Sequence, residues 1–294
     1  MSTSVLITGS NSGFGYLMAK TLLQQGFFVV ASMRHSTSKH VDVANDLRQQ
    51  GALVVDIDVT DEQSVNDGVA ESIAIQGHID VLINNAGFGS SAWLQSCTID
   101  DFNAIFDVNV FGVQRMIRAV LPHMRQRRQG TLIQISSTLG QFVLPYMGVY
   151  NASKHALEAL TETYRVELSQ FGIQSLLVQP GAFGTPFSSN LIAGSDTEIT
   201  QSYDKLADAP DKQVEYYNKV REQGNNPDPQ MVADAVLKLL QMKPEQRPFR
   251  TLVDGTCEQH PVEEVNRSLE TAMQKLYQSY PFGELLTLNQ TSCK

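Results

Sequence analysis

The sequence has few cysteines, and they follow no pattern. The three in 294 residues are Cys97, Cys257 and Cys293. They lie far apart, form no Cys-x-x-Cys motif and match no metal-ligand spacing, so we expect neither a disulfide framework nor a bound metal. Scattered cysteines are typical of a reducing compartment, and no signal-peptide pattern precedes the first apolar run at residues 5–8. We therefore expect a cytoplasmic protein.

The sequence also lacks an excess of positive charge and long apolar runs. Its formal net charge is −9, and its one cluster of cations, Arg125, Arg127 and Arg128, is typical of a helix C-terminus. We therefore expect no nucleic-acid partner. No apolar run approaches the about 20 residues that cross a bilayer, which predicts that no segment spans a membrane.

Apolar runs alternate with segments of helical periodicity along most of the chain. The runs that read as strands and their exits are residues 5–8, 27–34, 52–61, 79–87, 130–137, 173–181 and 248–255. Strands that alternate with helices require a parallel sheet with right-handed crossovers. We therefore predict an α/β fold, a doubly wound seven-stranded parallel sheet flanked by helices, in a single domain over residues 1–294.

Two segments depart from this alternation. Residues 185–229 are polar and predict loops with up to two helices, which at the ligand edge of such a sheet is typical of a substrate-binding insertion. After a helix at residues 227–242 and the last strand, residues 258–294 form a C-terminal extension with an amphipathic helix at about 262–277.

The first strand runs directly into a glycine-rich turn and a helix. This order presents backbone N–H groups and a helix N-terminus to a phosphate. The spacing of Gly9, Gly13 and Gly15 is wider than Gly-x-Gly-x-x-Gly, so the intervening polar side chains are added donors. The candidate dinucleotide contacts of the turn are Gly9, Ser10, Asn11, Ser12, Gly13, Phe14 and Gly15. A strand-to-helix turn without a ligand is the alternative.

The ends of the next two strands carry charged residues. Arg34 follows the second strand, where an acidic residue would bind the ribose of NAD, and a cation there favours the 2′-phosphate of NADP. Asp58, followed by Val59, could accept a hydrogen bond from the adenine amino group. The alternatives are an arginine in solvent and a carboxylate that caps a loop.

Asparagines mark the fourth strand and the helix after it. In the segment Asn85, Ala86 and Gly87, the small residues let the backbone pass close to a bound ring. The side-chain amides of the asparagine pair can tie neighbouring strands or loops together. Asn109 lies in the middle of a predicted helix at residues 98–128, between two valines. Because asparagine is a poor residue for a helix interior, we expect that it satisfies a buried group.

Tyr150 and Lys154 lie one turn apart near the start of a predicted helix, with Ser137 at the end of the fifth strand. A neighbouring ammonium and the positive end of a helix both favour the phenolate, so we expect a lowered tyrosine pKa and a general acid/base near neutral pH. The spacing alone is weak evidence, because Tyr16 and Lys20 repeat it on another helix.

Taken together, these residues resemble the short-chain dehydrogenase/reductase family. The matching segments, in the family's order, are TGSNSGFG (residues 8–15), Asp58 with Val59, NNAG (84–87), Asn109, Ser137, YNASK (150–154) and PGAFGT (180–185). The resemblance implies a Rossmann-type fold and hydride transfer between NADP(H), favoured over NAD(H), and a carbonyl or secondary alcohol. The cofactor contacts that it implies after the sixth strand are Pro180, Gly181, Phe183 and Thr185.

The resemblance also implies roles for four catalytic residues. Tyr150 exchanges a proton with the substrate oxygen, Lys154 lowers the pKa of Tyr150 and holds the nicotinamide ribose, and Ser137 polarises the carbonyl. Asn109 holds a helix distortion and a water that relays protons to Lys154. The family further implies a homodimer or homotetramer.

The substrate is less constrained. Apolar residues near the predicted site favour an apolar small molecule: Phe142, Val143, Leu144, Met147, Phe183 and Phe187. A non-catalytic dinucleotide-binding regulator on the same fold is the alternative function, and the complete tetrad argues against it.

Overall fold

A computed structural model describes residues 2–222, 226–256, 260–281 and 283–288. Within these residues, the seven strands of one sheet are β1 (Ser4–Ile7), β2 (Phe28–Met33), β3 (Leu53–Asp56), β4 (Val81–Asn84), β5 (Gly130–Ile135), β6 (Ile173–Pro180) and β7 (Arg250–Val253). They pair in the order β3-β2-β1-β4-β5-β6-β7, and all pairs are parallel. The predicted seven-stranded parallel sheet is confirmed.

Helices cover both faces of the sheet. They are α1 (Gly13–Gln24), α2 (Val41–Gln49), α3 (Glu62–Gln76), α4 (Ile99–Phe106), α5 (Val113–Arg127), α6 (Gly148–Leu168), α7 (Thr197–Ser202), α8 (Ala209–Glu222), α9 (Gln230–Gln241) and α10 (Val262–Gln278). One core lies against α1, α2 and α9, and the other lies against α3, α5 and α6. In β1, Val5 and Ile7 enter the first core and Leu6 enters the second. Strands buried on both faces read as continuous apolar runs for this reason.

The predicted helix at residues 98–128 is a single rod with a distortion in its middle. A capping box between Thr98 and Asp101 starts α4, a π-helical turn spans Asp107–Gly112, and α5 follows directly. The helix ends at Arg128, whose φ of 53° is left-handed. The prediction that cations lie at this helix C-terminus is confirmed.

The segment at residues 185–222 crosses the carboxyl edge of the sheet as a 3₁₀ turn (Pro186–Asn190), α7 and α8, so two helices form there. Ser195 bonds to the carboxylate of Asp101 through its N–H and its hydroxyl. The ring of Trp93 stacks on Tyr203 with centroids 3.9 Å apart. These contacts fix the segment above the strand ends.

The C-terminal extension begins outside the described residues and continues as α10. Its Asn266 donates to Gln179 of β6 (2.6 Å), and its Glu270 pairs with Arg165 of α6 (2.7 Å). Cys257 and Cys293 lie outside the described residues. Among the described helices, none combines the length and the apolar character that a membrane crossing requires.

Candidate active site

A cleft of about 1110 Å³ opens at the carboxyl ends of the strands and runs from the glycine turn to α8. Most of the predicted site residues line it: Gly9, Asn11, Ser12, Gly13, Phe14, Arg34, Asp58, Val59, Asn85, Ala86, Gly87, Ser137, Tyr150, Lys154, Pro180, Gly181, Phe183 and Thr185. Ser10, Gly15 and Asn109 lie behind its wall. Ligands of doubly wound sheets bind at this edge.

The glycine turn is shaped by two close approaches of backbone. Gly9 has a left-handed φ of 67°. A Cβ on Gly15 would overlap the carbonyl of Gly9 and lie 2.6 Å from Asn85 Nδ2. The side chain of Ser12, the N-cap of α1, makes no capping hydrogen bond. The turn is therefore a tightly closed cradle, and the N-terminus of α1 at its end suits a phosphate.

The prediction that Ser10 adds a donor to the cleft is wrong. Ser10 is fully buried, and its hydroxyl donates to the carbonyl of Ile7 at 3.0 Å. The wider gap between Gly9 and Gly13 lets this side chain fold under the turn, where it stabilises the turn itself.

Cations gather at the end of the cleft beyond β2. Arg34 pairs with Asp58 at 3.5 Å, and their side chains are 58% and 35% exposed. Lys39 and His40 line the same end; the pKa of His40 is lowered by burial and then by the charges of Lys39, His35 and Arg34. A positive end in a chain of net charge −9 suits an anionic group. Sequence reasoning missed Lys39 and His40 because they lie in a loop, and only the fold brings them beside Arg34.

Asp58 lies two residues beyond the end of β3, not in the strand as expected. Its carboxylate accepts from the N–H and the hydroxyl of Thr60 (3.0 and 2.7 Å), which turns the chain towards α3. These hydrogen bonds and Arg34 lower its pKa against the opposing effect of burial. Asp58 therefore caps a loop while it lines the cleft.

The asparagines after β4 tie loops together, as predicted. Asn85 Nδ2 donates to the carbonyls of Thr8 (2.9 Å) and Gly9 (3.2 Å), and Asn84 Nδ2 donates to Gln134 at 2.7 Å. The hydroxyl of Thr8 accepts from the N–H groups of Asn85 and Ala86. The glycine turn and the floor of the cleft are thereby held as one unit.

Asn109 lies in the π-helical turn and is 1% exposed. Its Nδ2 donates to the carbonyl of Phe88 (2.9 Å) and to Ser153 Oγ (3.0 Å), and its Oδ1 accepts from the N–H of Phe88 (3.1 Å). Ser153 in turn donates to the carbonyl of Tyr150 at 2.8 Å. The expectation that Asn109 satisfies buried groups is confirmed, and these bonds join the distorted helix to the helix of Tyr150.

Ser137, Tyr150 and Lys154 converge in the middle of the cleft. Ser137 follows β5, where its Oγ accepts from the N–H of Leu139 at 3.1 Å. Tyr150 is 7% exposed and Lys154 is 6% exposed. Lys154 Nζ donates to the carbonyl of Ile135 at 2.8 Å and lies 5.7 Å from the centre of the Tyr150 ring.

The predicted lowering of the Tyr150 pKa is wrong for this arrangement. Burial raises the pKa of Tyr150 to about 12, and a hydrogen bond with Ser137 only partly opposes it. Burial also lowers the pKa of Lys154 to about 8, against the charge of Glu158. Lys154 donates to a backbone carbonyl and lies 5.7 Å from the centre of the Tyr150 ring, so burial remains the dominant influence on the pKa of the phenol. Tyr150 is therefore a phenol that keeps its proton at neutral pH.

The other end of the cleft is apolar. Its wall includes Leu144, Met147, Phe187, Leu191, Val214, Tyr217 and Val220, and the ring of Phe187 lies 5.2 Å from that of Tyr150. Phe142 and Val143, also expected here, do not line it; Val143 is 70% exposed and Phe142 faces His260 at 6.5 Å. The left-handed backbone of Tyr146 (φ 64°) turns this loop, so that only Leu144 and Met147 reach the cleft.

The chain matches a protein family in sequence. Residues 3–196 match the family model described as short chain dehydrogenase. The chain is 37% identical over 249 residues to 3-ketodihydrosphingosine reductase of Bacteroides thetaiotaomicron, an alignment that covers 85% of this chain and 87% of the relative.

Solved structures share the fold. A short-chain dehydrogenase from Streptomyces avermitilis superposes with a TM-score of 0.75 and 29% identity, over 95% of this chain and 97% of that one. The 3-ketoacyl-(acyl-carrier-protein) reductase of Brucella melitensis, solved with NADH, superposes with a TM-score of 0.70 and 26% identity, over 86% and 97%. These relatives are dehydrogenases and reductases, so they do not support a non-catalytic regulator. The chain belongs to the short-chain dehydrogenase family and is an oxidoreductase.

Proposed function

We propose that this enzyme transfers a hydride between NADP(H) and a small carbonyl or secondary alcohol, with Tyr150 as the general acid/base. The observation that carries the proposal is the position of a buried, neutral phenol in the cleft, between Ser137 and Lys154. In the direction of carbonyl reduction, Tyr150 donates its proton to the substrate oxygen while the Ser137 hydroxyl polarises the carbonyl.

Lys154 and Asn109 support this step. The ammonium of Lys154 stabilises the phenolate that Tyr150 becomes after donating its proton, and it can donate to the nicotinamide ribose while it keeps its bond to Ile135. Asn109 holds the backbone of Tyr150 through Ser153, and its π-helical turn is where a proton-relaying water would be held.

The cradle of the glycine turn fits a dinucleotide, which supplies the hydride when bound. Gly9, Asn11, Ser12, Gly13 and Phe14 would hold the pyrophosphate, and Pro180, Gly181, Phe183 and Thr185 would border the nicotinamide. Asp58 and Val59 would border the adenine. The solved relative from Brucella melitensis, which contains NADH, supports a nicotinamide cofactor here.

The charges beyond β2 favour NADP(H) over NAD(H). A 2′-phosphate would lie beside Arg34, with Lys39 and His40 on the same wall. The half-exposed Arg34–Asp58 pair stabilises little, so a phosphate can replace the carboxylate as the partner of the guanidinium.

The proposed substrate is apolar and uncharged. Within the described part of the chain, the ionisable residues on the cleft wall are Arg34, Lys39, His40, Asp58, Asp107, Tyr150, Lys154 and Tyr217. Of these, only Tyr217 comes from α8, so the described side chains of α8 and of the 3₁₀ turn at Pro186–Asn190 place no carboxylate and no cation on the wall. The 3-ketodihydrosphingosine named for the Bacteroides relative supports a ketone substrate, whose apolar part Phe187, Leu191 and Val214 would recognise.

The organisation around this site is also part of the proposal. We infer one domain over residues 1–294, in which 185–229 is the substrate-binding insertion and 258–294 an extension. Exposed Ile99 and Phe111 on the distorted helix are consistent with a cytoplasmic homodimer or homotetramer packed through this helix and α6. Size exclusion with light scattering tests the assembly, and a monomer would contradict it.

The function is tested by screening carbonyl compounds for loss of NADPH absorbance. We expect turnover of lipophilic ketones or aldehydes and none of sugars. Turnover of sugars alone would contradict the apolar substrate. Tight NADPH binding without oxidation across the whole panel would contradict the enzymatic role.

A further inference from the structure

A buried carboxylate behind the cleft takes no part in the chemistry proposed above. Glu158 lies on α6, one turn after Lys154, and its side chain is 5% exposed. Burying a charge is costly unless it is paired and hydrogen-bonded, so the partners of Glu158 indicate what it is for.

Three donors from three different elements meet this carboxylate. Gln141 Nε2 donates to one oxygen at 3.1 Å, and Arg250 Nε donates to the same oxygen at 3.1 Å. Gln179 Nε2 donates to the other oxygen at 2.9 Å. The donors come from the segment after Ser137, from β7 and from the end of β6. Glu158 therefore connects these three segments to α6 on the side away from the cleft.

Two of the three ties lie next to residues of the cleft wall. Gln141 ends the 3₁₀ turn at Thr138–Gly140 that follows Ser137, and Gln179 directly precedes Pro180. The backbone of Gly140 passes so close that a Cβ there would lie 2.8 Å from Glu158 Cγ. Movement of this carboxylate would therefore move both the polarising serine segment and the nicotinamide loop.

The charge of Glu158 also acts on Lys154. Burial lowers the pKa of Lys154 to about 8, and the Glu158 carboxylate opposes that effect. On the far side Glu158 faces Arg250, 6% exposed, which also pairs with Glu162 at 3.2 Å.

The remaining surroundings of Glu158 carry little unbalanced charge. Arg165 of α6 and Glu270 of α10 neutralise each other in an ion pair. β6 and α10 contribute the neutral amides of Gln179 and Asn266, and the neutral phenol of Tyr150 lies two turns before Glu158 on α6. Glu158 is therefore the carboxylate of this cluster that lies within one turn of Lys154.

We propose that Glu158 is a positioning residue of this enzyme: its carboxylate holds the Ser137 segment and the end of β6 against α6, one turn from Lys154. The inference rests on the proposed function only for the role of Lys154 at the cofactor ribose. Glu158 touches neither substrate nor cofactor, so it acts through the segments that it holds and through the neighbouring Lys154.

The test is an equilibrium titration that requires no substrate. Cofactor fluorescence gives the dissociation constant of the enzyme–cofactor complex between about pH 6 and 10, a range that spans the titration of Lys154. Both NADH and NADPH are titrated, because a pH effect that is seen with NADPH alone comes from the 2′-phosphate and its partners and not from Lys154. The variants are Glu158→Gln and, as a matched control, Glu162→Gln, which shares Arg250 but lies one turn farther from Lys154. A double variant, Glu158→Gln with Arg250→Met, covers the case in which the unpaired arginine prevents folding.

In the wild type, we expect binding to weaken several-fold from about pH 7 to about pH 9, as Lys154 loses its proton. Removing the carboxylate disfavours the ammonium, so the weakening must begin at lower pH in Glu158→Gln and in the double variant, and stay unchanged in Glu162→Gln. A flat wild-type profile, a Glu158→Gln profile equal to that of the wild type, or an equal shift in Glu162→Gln would overturn the inference. If the binding profiles differ as expected but the wild-type enzyme reduces no carbonyl compound, the proposed function alone is rejected.

Discussion

Replacing Arg34 by alanine tests how the cleft selects its cofactor. A hydrogen bond from a guanidinium to a phosphate contributes about 1.5–3 kcal/mol. Arg34 must first give up Asp58, and this half-exposed pair at 3.5 Å stabilises by at most about 1 kcal/mol. The net gain is about 0.5–2 kcal/mol, so Arg34→Ala should weaken NADPH binding about two- to thirty-fold.

NADH has no 2′-phosphate, so its affinity should stay within about twofold of the wild-type value. Fluorescence titration of both cofactors against wild type and variant measures the ratio directly. Arg48→Ala is the matched control, because Arg48 is an exposed arginine of α2 that contacts Asn45 and lies outside the cleft wall. An unchanged NADPH-to-NADH ratio in Arg34→Ala, or an equal change in Arg48→Ala, would refute the reasoning.

Three further substitutions test the supports of the cleft. Gly15→Ala drives a Cβ into the Gly9 carbonyl and should weaken NADPH binding at least about tenfold in a fluorescence titration. The control is Gly26→Ala, at a left-handed position in open space, which should lower thermal stability in calorimetry and leave NADPH binding unchanged. Asn109→Ala leaves the N–H and the carbonyl of Phe88 without their partner, so urea unfolding should show a loss of about 2–4 kcal/mol in the free energy of unfolding. The control Asn103→Ala, at an exposed position, should change that free energy little. Leu82→Ala, fully buried in β4, should cost about 2–5 kcal/mol. Wild-type stability of either buried variant, or wild-type NADPH affinity in Gly15→Ala, would contradict these packing arguments.

The fold was predictable because each strand is buried on both faces. The apolar runs around Val5 and Leu82 can only be covered by helices on two sides, and the helical periodicity between them supplies those helices. Boundaries were less predictable: β3 ends at Asp56 and not at Asp58, because Asp58 turns the chain through Thr60.

The site was predictable where a residue lies at a strand end or in a motif, as Ser137, Tyr150 and Lys154 do. It was not predictable where three-dimensional packing decides. Lys39 reaches the cleft from a loop. The pKa of Tyr150 follows from its burial rather than from its distance to Lys154 along the helix.

The most direct test of the account is turnover by Tyr150→Phe on a carbonyl that the wild-type enzyme reduces. The phenyl ring keeps the contact with Phe187 and loses only the hydroxyl, so NADPH affinity should stay near the wild-type value. If Tyr150 donates the proton, kcat/KM should fall by about 10²- to 10⁴-fold. Turnover within a few-fold of the wild type, with NADPH bound normally, would contradict the central claim that this phenol is the acid of the reaction.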